Sequence, residues 1–545
     1  MAEPPDMRWW GWGDSAHAQP LPEHALALLR EQLGIDGARH PPVELDRVTL
    51  AAPALDPLVR RRLAAIVGGE GVRDDHAARV LHAAGKGYPD LVRLRAGRPE
   101  GAPDAVVYPS SHAQVRAVLD ECAGAGVAVV PWGGGTSVVG GVAPVRGSLR
   151  SVVALDLRKL GRVLGVDEVS STVTVQTGMR GPALEAALRA QGLTLGHYPQ
   201  SFEYVSIGGC VATRSAGQAS TGHGRLDELV LGLRCAAPAG DLSLPPLPAS
   251  AAGPDLRELL VGSEGTLGVL TDVSLRVRPR PGHEQYEGMF FRSFSEGSEA
   301  LRAAAQHEVL PDVARLSDEE ETGMSVVLAG GEGLRARAGQ AYLRARGYAD
   351  GCLAIFGWDG EADEVDRRRA ASLAVLRERG GLSVGSGPGR SWAASRFQAP
   401  YLRDELLDHR VMVETLETAS QWSRLAGLYE AVAGALREAL ARRQTPPLVM
   451  CHISHVYETG ASLYFTFLAR QEEGREIEQW RAAKTAATDA IVAAGGTITH
   501  HHAVGRDHAP WLRDEIGELG ISALRALKRE LDPAGIMNPG KLLPG

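Results

Sequence analysis

Hydrophobic and polar positions change their period three times along this chain. Residues 1–99 read as helices and loops rich in Arg, Pro and Ala, and they open on a tryptophan cluster, Trp9-Trp10-Gly11-Trp12. From Pro103 the texture turns to short strands and helices. Residues 105–108 read as a strand, and Ser111 with Gln114 forms a capping box at the head of a helix. That helix carries Val115, Val118, Leu119 and Cys122 on one face, and residues 127–130 follow as a wholly apolar strand. Residues 171–177 alternate apolar with polar, as do Val273, Leu275 and Val277 with their neighbours. Beyond 282 the period lengthens, and Ala/Leu/Arg/Glu helices are predicted at 296–308, 362–379, 422–443 and 477–494. Strands are predicted between them at 353–356 and 462–467. The expected fold class is α+β. It comprises a helical region over 1–99, a first α+β domain over 100–281, a covering domain over 282–520, and a turn-rich tail over 521–545 that packs back on the first domain.

Composition narrows the possibilities. At 545 residues the chain is too long for one core. A net charge of -8 argues against a nucleic-acid partner and for simple solubility. The five cysteines are odd in number and contain no CxxC pair. Neither a disulfide framework nor a zinc site is expected, and they read as small buried hydrophobes. No basic-then-apolar leader is visible, and no stretch approaches the roughly 20 apolar residues of a spanning helix. A cytoplasmic location and a homodimer are expected. Aromatic residues make up only 5%, so the tryptophan cluster is a local concentration. It reads as packing against the body, with peripheral contact with a membrane as the rival.

Candidate chemistry lies in three glycine-rich loops. Pro131-Trp-Gly133-Gly134-Gly135-Thr136-Ser137 follows the apolar strand directly. Glycines there let backbone N–H groups form a concave nest for a pyrophosphate, although a Gly triplet by itself is more often a plain turn. The spacing fits neither GxGxxG nor GxxxxGK[ST]. The second loop, from Val205 to Gly217, combines Ser206, Gly208, Gly209, Thr213 and Ser215 with Arg214. The third runs Gly262-Ser-Glu264-Gly265-Thr-Leu-Gly268 into Val269. Three such loops in one α+β unit are hard to explain as ordinary connections.

The order PWGGGTSVVGG, SIGGCVATRSAG, GSEGTLGVLT resembles the FAD domain of the vanillyl alcohol oxidase/p-cresol methylhydroxylase superfamily, and DPAGIMNPGKLL is similar to the end of its FAD-linked oxidase branch. The resemblance implies FAD and a two-domain fold whose second part is an α/β cap over the substrate. Some members tether FAD through a His in the first glycine loop. Residues 131–142 contain none, so non-covalent FAD is implied. Cofactor contacts are expected from Pro131, Gly133, Gly134, Gly135, Thr136, Ser137, His197, Ser206, Gly208, Gly209, Thr213, Ser215, Glu264, Gly265, Gly268 and Val269.

Further stretches resemble alkyldihydroxyacetonephosphate synthases, namely MRWWGWGD, GHYPQSFEYVSIGG, VARLSDEEE, YLRDELL, YETGASLYF and THHHAVGRD. That family exchanges the acyl group of acyl-dihydroxyacetone phosphate for a fatty alcohol with no net oxidation. The resemblance implies catalytic roles for Tyr464 and the triplet His500-His501-His502, and substrate-binding roles for Arg315 and Arg403. It places His197 and Ser206 near the isoalloxazine. If the triplet is a strand, His500 and His502 share one face and His501 the other, which does not suit a metal. His452 and His455, three apart on a strand, are likewise expected on opposite faces as supporting residues. Salt bridges to Asp318 and Asp404 are the plain alternative for the two arginines. An FAD-linked D-2-hydroxyacid dehydrogenase or oxidase is the rival enzyme, although its HGDGNLH-like element is absent here. A flavin-retaining scaffold without catalysis is the remaining possibility.

Overall fold

The capping box at Ser111 folds as read. The Ser111 hydroxyl accepts the Gln114 amide at 3.2 Å and starts the helix His112–Ala125. The Gln114 carboxamide reaches one residue further back than a standard box, to the Ser110 amide. In this computed structural model, which describes residues 7–17, 20–328 and 334–544, that helix links two parallel strands. Ala105–Val107 and Val127–Trp132 lie on either side of Ser151–Asp156, and Val72–Arg73 pairs antiparallel at the edge. Strands buried on both faces can be apolar throughout, which is why 127–130 shows no alternation. The carboxyl end of Val127–Trp132 runs straight into Gly133, at the edge of a parallel sheet where ligands characteristically bind.

A five-stranded antiparallel sheet follows, ordered Val163–Asp167, Thr172–Gln176, Val269–Arg276, Val230–Ala237, Gly240–Leu244. Next comes a seven-stranded antiparallel sheet, ordered Leu382–Gly385, His283–Phe291, Cys352–Gly360, Val313–Ser317, Leu448–Val456, Gly460–Arg470, Val411–Gln421. The four helices predicted from the longer period are Phe294–Gln306, Ala362–Glu378, Trp422–Arg442 and Glu476–Ala493. Their apolar stripes join the sheet in one large core with Phe291, Phe356, Phe465 and Phe467. Alternation then decides the rest. In Gly460–Arg470, Leu463, Phe465 and Phe467 enter the core, while Tyr464, Thr466 and Leu468 line a cavity on the opposite face.

The last helix, Leu512–Leu531, is kinked at Gly517 (φ 72°) and crosses residue 521. The expected boundary at 520/521 therefore falls inside a helix, and the tail proper begins after Leu531. That tail docks on the first sheet. The Val129 amide donates to the Ile536 carbonyl at 2.8 Å, and the Asn538 amide to the Val129 carbonyl at 2.9 Å. All five cysteines are buried and free. Trp12 is 3% exposed and packs edge-on to Tyr204, so the tryptophan cluster faces the body. Among the described residues no helix is long and apolar enough to cross a membrane.

Candidate active site

The three glycine loops converge on a cavity of about 550 Å³ that also reaches the inner face of the seven-stranded sheet. They are locked on one another. A Cβ on Gly133 would lie 2.0 Å from the Ser206 hydroxyl, and one on Gly134 would lie 2.2 Å from the Tyr204 carbonyl oxygen. The glycine requirement at 134 is thus loop-on-loop packing, a correction to the expectation that it lets the backbone approach a pyrophosphate. The nest itself is present. No backbone carbonyl among the described residues accepts a bond from the N–H groups of residues 133–137. Those donors line the cavity, where a diphosphate would satisfy them. Gly134→Val should therefore strip FAD and lower stability together. Flavin absorbance per chain and the thermal midpoint report the two, and full flavin occupancy would show that the loop tolerates the clash.

Fourteen of the sixteen expected cofactor residues line this cavity, and two do not. His197 is buried behind the Gly217 backbone with Nε2 3.2 Å from the Ser215 hydroxyl. Val269 turns into the core of the first sheet, while its neighbours Gly268 and Leu270 face the cavity.

The histidine triplet is not a strand. Residues 496–504 form a loop wrapped round the carboxylate of Glu417. That carboxylate accepts the amides of His500, His501 (3.1 Å) and His502 (2.7 Å) and the Thr499 hydroxyl (2.7 Å). Face alternation therefore does not apply. His501 and His502 line the cavity, whereas His500 points away from it. Its Nδ1 meets His501 Nδ1 at 2.9 Å, and its Nε2 meets the Tyr457 phenol at 2.6 Å. His452 and His455 also depart from expectation. A β-bulge between Ile453 and Val456 rotates His455 back, so both rings line the cavity. The ring nitrogens of His455, His500 and His501 come within 4.8 Å, a spacing that a metal ion would also accept. His500 and His501 are bonded to each other, His500 also to Tyr457, and His455 to Ser454 and the Gly217 carbonyl, and their geometry is that of a hydrogen-bond network.

Tyr464 stands over this network. Its ring stacks on His452 at 4.9 Å and lies nearly parallel to His501 at 6.0 Å. Burial pushes the phenol up to about 12. Burial likewise holds His501 well below the usual imidazole range, against the pull of Glu417. At neutral pH both groups are uncharged, so one can accept a proton and the other donate one.

The two arginines are not equivalent. Arg315 lies 3.0 Å from each ring nitrogen of His452, donating to Nε2 while Nδ1 donates to Glu321 at 2.8 Å, and Arg315 is ion-paired to Glu321, not to Asp318. Arg403 gives Nη1 to the Lys86 carbonyl at 2.7 Å, and its buried Nε has no partner among the described residues. Asp404 is engaged instead by Arg8 and the Trp12 amide. Glu417 and Glu321 escaped the sequence reading. Glu417 shares strand parity with Val413 and Thr415, which face the cavity, and a carboxylate at an inward position of an apolar strand was the signal available.

Residues 103–243 match the family described as FAD binding domain, and residues 280–542 match FAD linked oxidases, C-terminal domain. Fold and site together define an FAD-dependent enzyme with a flavin domain and a covering sheet domain. A solved p-cresol methylhydroxylase shares this fold, with a TM-score of 0.68 at 15% identity over 91% of this chain and 98% of that one. An alkyldihydroxyacetonephosphate synthase of Dictyostelium discoideum is 33% identical, covering 99% of this chain and 93% of the relative. A solved synthase superposes with a TM-score of 0.85 at 31% identity, covering 98% of both chains. The chain belongs to the alkyldihydroxyacetonephosphate synthase family.

Proposed function

We propose that this protein exchanges the acyl group of acyl-dihydroxyacetone phosphate for a fatty alcohol. The observation that carries the reading is the continuity of one cavity. It runs from the glycine loops past Arg403, Tyr464 and His501 to an apolar wall that includes Ala25, Leu29, Met324, Leu328, Leu402 and Leu406. Such a space suits a headgroup with one anionic handle and a long alkyl chain. Bound FAD supplies a reversible store for an electron pair. Arg403 holds the phosphate, because among the described residues no carboxylate is ion-paired to it, whereas Arg315 is ion-paired to Glu321. Arg315 positions His452 under Tyr464, and Tyr464 and His501 move the proton at the reacting carbon. The rival hydroxyacid oxidation would need no alkyl wall, and likeness to the synthases extends over the whole chain. Incubation with acyl-dihydroxyacetone phosphate and a fatty alcohol, with the ether product followed by mass spectrometry, tests the reading. Absence of ether would overturn it.

Two further results are expected. Arg403→Lys should weaken ketone phosphate binding by about 1–3 kcal/mol with FAD content unchanged, since lysine cannot make the forked contact. An unaltered KM would move the phosphate elsewhere. Acid or heat should release all the yellow colour into the supernatant, because residues 131–142 hold no His to tether it. Colour retained in the precipitate would contradict dissociable FAD.

A further inference from the structure

The proposed exchange leaves a proton behind. One C–O bond of the ketone phosphate breaks with its electron pair leaving on the carboxylate, and one forms to the alcohol oxygen. The alcohol's proton is released, and no oxidant or reductant is needed. That proton arises in a largely apolar cavity, where a charge is costly.

A hydrogen-bonded path leads out. His501 lines the cavity, and its Nε2 has no hydrogen-bond partner among the described residues. Its Nδ1 lies 2.9 Å from His500 Nδ1 on the other side of the ring. His500 turns away from the cavity and places Nε2 2.6 Å from the Tyr457 hydroxyl. Tyr457 is half-buried and stands beside Arg225, which itself pairs with Asp227. Tyr457 and Arg225 are both partly exposed, and solvent lies beyond this end of the path. Each imidazole can accept on one nitrogen and donate from the other, and the Tyr457 phenol does both at its oxygen; the Arg225 guanidinium can only donate, so the proton passes from Tyr457 to solvent water. The backbone of the triplet is fixed by Glu417, which holds both rings at bonding distance without touching the path's nitrogens more closely than 4.0 Å at His501.

We propose that His501, His500 and Tyr457 form a relay that carries the reaction's proton from the cavity to solvent, with Tyr457 as a positioning residue acting through His500. This rests on the exchange reading above. Burial pushes the Tyr457 phenol up to about 12, so it serves as a neutral link and never as a stored charge. The phenol is the one element that substitution can remove while keeping its ring in place.

The test uses the FAD-loaded full chain. Wild type is assayed first, and failure to form ether would overturn the exchange reading and the relay with it. If wild type turns over, Tyr457→Phe should retain normal flavin content and KM while kcat falls on the order of ten-fold. Its solvent deuterium isotope effect should rise, and added imidazole should restore part of the rate. His500→Gln should behave alike, and the double variant should be no slower than the slower single, since both cut one chain. An unchanged kcat in Tyr457→Phe would overturn the relay. So would a loss of rate with an unchanged isotope effect and no rescue, because that outcome marks a purely structural contact.

Discussion

Under argon, with acyl-dihydroxyacetone phosphate and a fatty alcohol present and no electron acceptor, the purified protein should make ether for many turnovers. Exchange of an ester for an ether consumes no oxidant, so whatever bound FAD accepts during the cycle must be returned before the cycle ends. The cavity fits that requirement. Tyr464 and His501 are both uncharged where they face it, and Arg403 lines the same cavity, where the exchange reading puts the phosphate. A hydroxyacid oxidase built on the same scaffold would behave otherwise, consuming one equivalent of substrate per flavin and then waiting for oxygen or a dye. The measurement is ether formed per FAD over time in a sealed cell, alongside the flavin spectrum. Arrest after one equivalent, or bleaching by D-lactate without exchange on the ketone phosphate, would falsify the reading.

The second large effect is expected at Tyr464. Replacing it by Phe keeps the stack on His452 and removes only the hydroxyl. General acid–base catalysis of this kind contributes roughly 10²–10⁴-fold, and kcat should fall within that range. KM should barely move, because the phosphate handle and the alkyl wall are untouched. His501→Ala should produce a similar loss through the same proton. If Tyr464→Phe retains most of its kcat, the phenol is a packing group and the proton has another acceptor, with His502 next in line along the cavity wall.

Much of this was written in periodicity. Alternation through 462–467 placed Tyr464 on the face opposite Phe465 and Phe467, and the structure puts it there because the helix layer claims the aromatic face. The glycine loops were legible for the same reason, since strand-then-glycine is a local pattern. What failed was inference that needed a partner far along the chain. The triplet looked like a strand until Glu417, more than eighty residues earlier, was seen to gather its amides. His455 looked misdirected until a bulge rotated it. The plain alternative for Arg315 and Arg403, pairing with Asp318 and Asp404, is not what forms, since Asp318 accepts the Cys451 amide and Asp404 accepts Arg8. Sequence neighbours compete poorly when a strand points them to different faces. His197 stands behind the Gly217 backbone and does not line the cavity, a depth that no pattern of residue types encodes.

The docked tail bears on the order in which the protein can be assembled. Met537 pairs with Val129, and the Asn538 carboxamide donates to the carbonyls of Gly141 and Glu264, which belong to the first and third glycine loops. Glu264 in turn receives the amides of Val504 and Gly505. All of these contacts come from segments synthesised after the covering sheet. On the ribosome, the loops that cradle FAD are therefore made early and completed late. A chain cut short within the last helix should lose flavin, read as flavin absorbance per chain, while the seven-stranded sheet, which is made before it, keeps its strands.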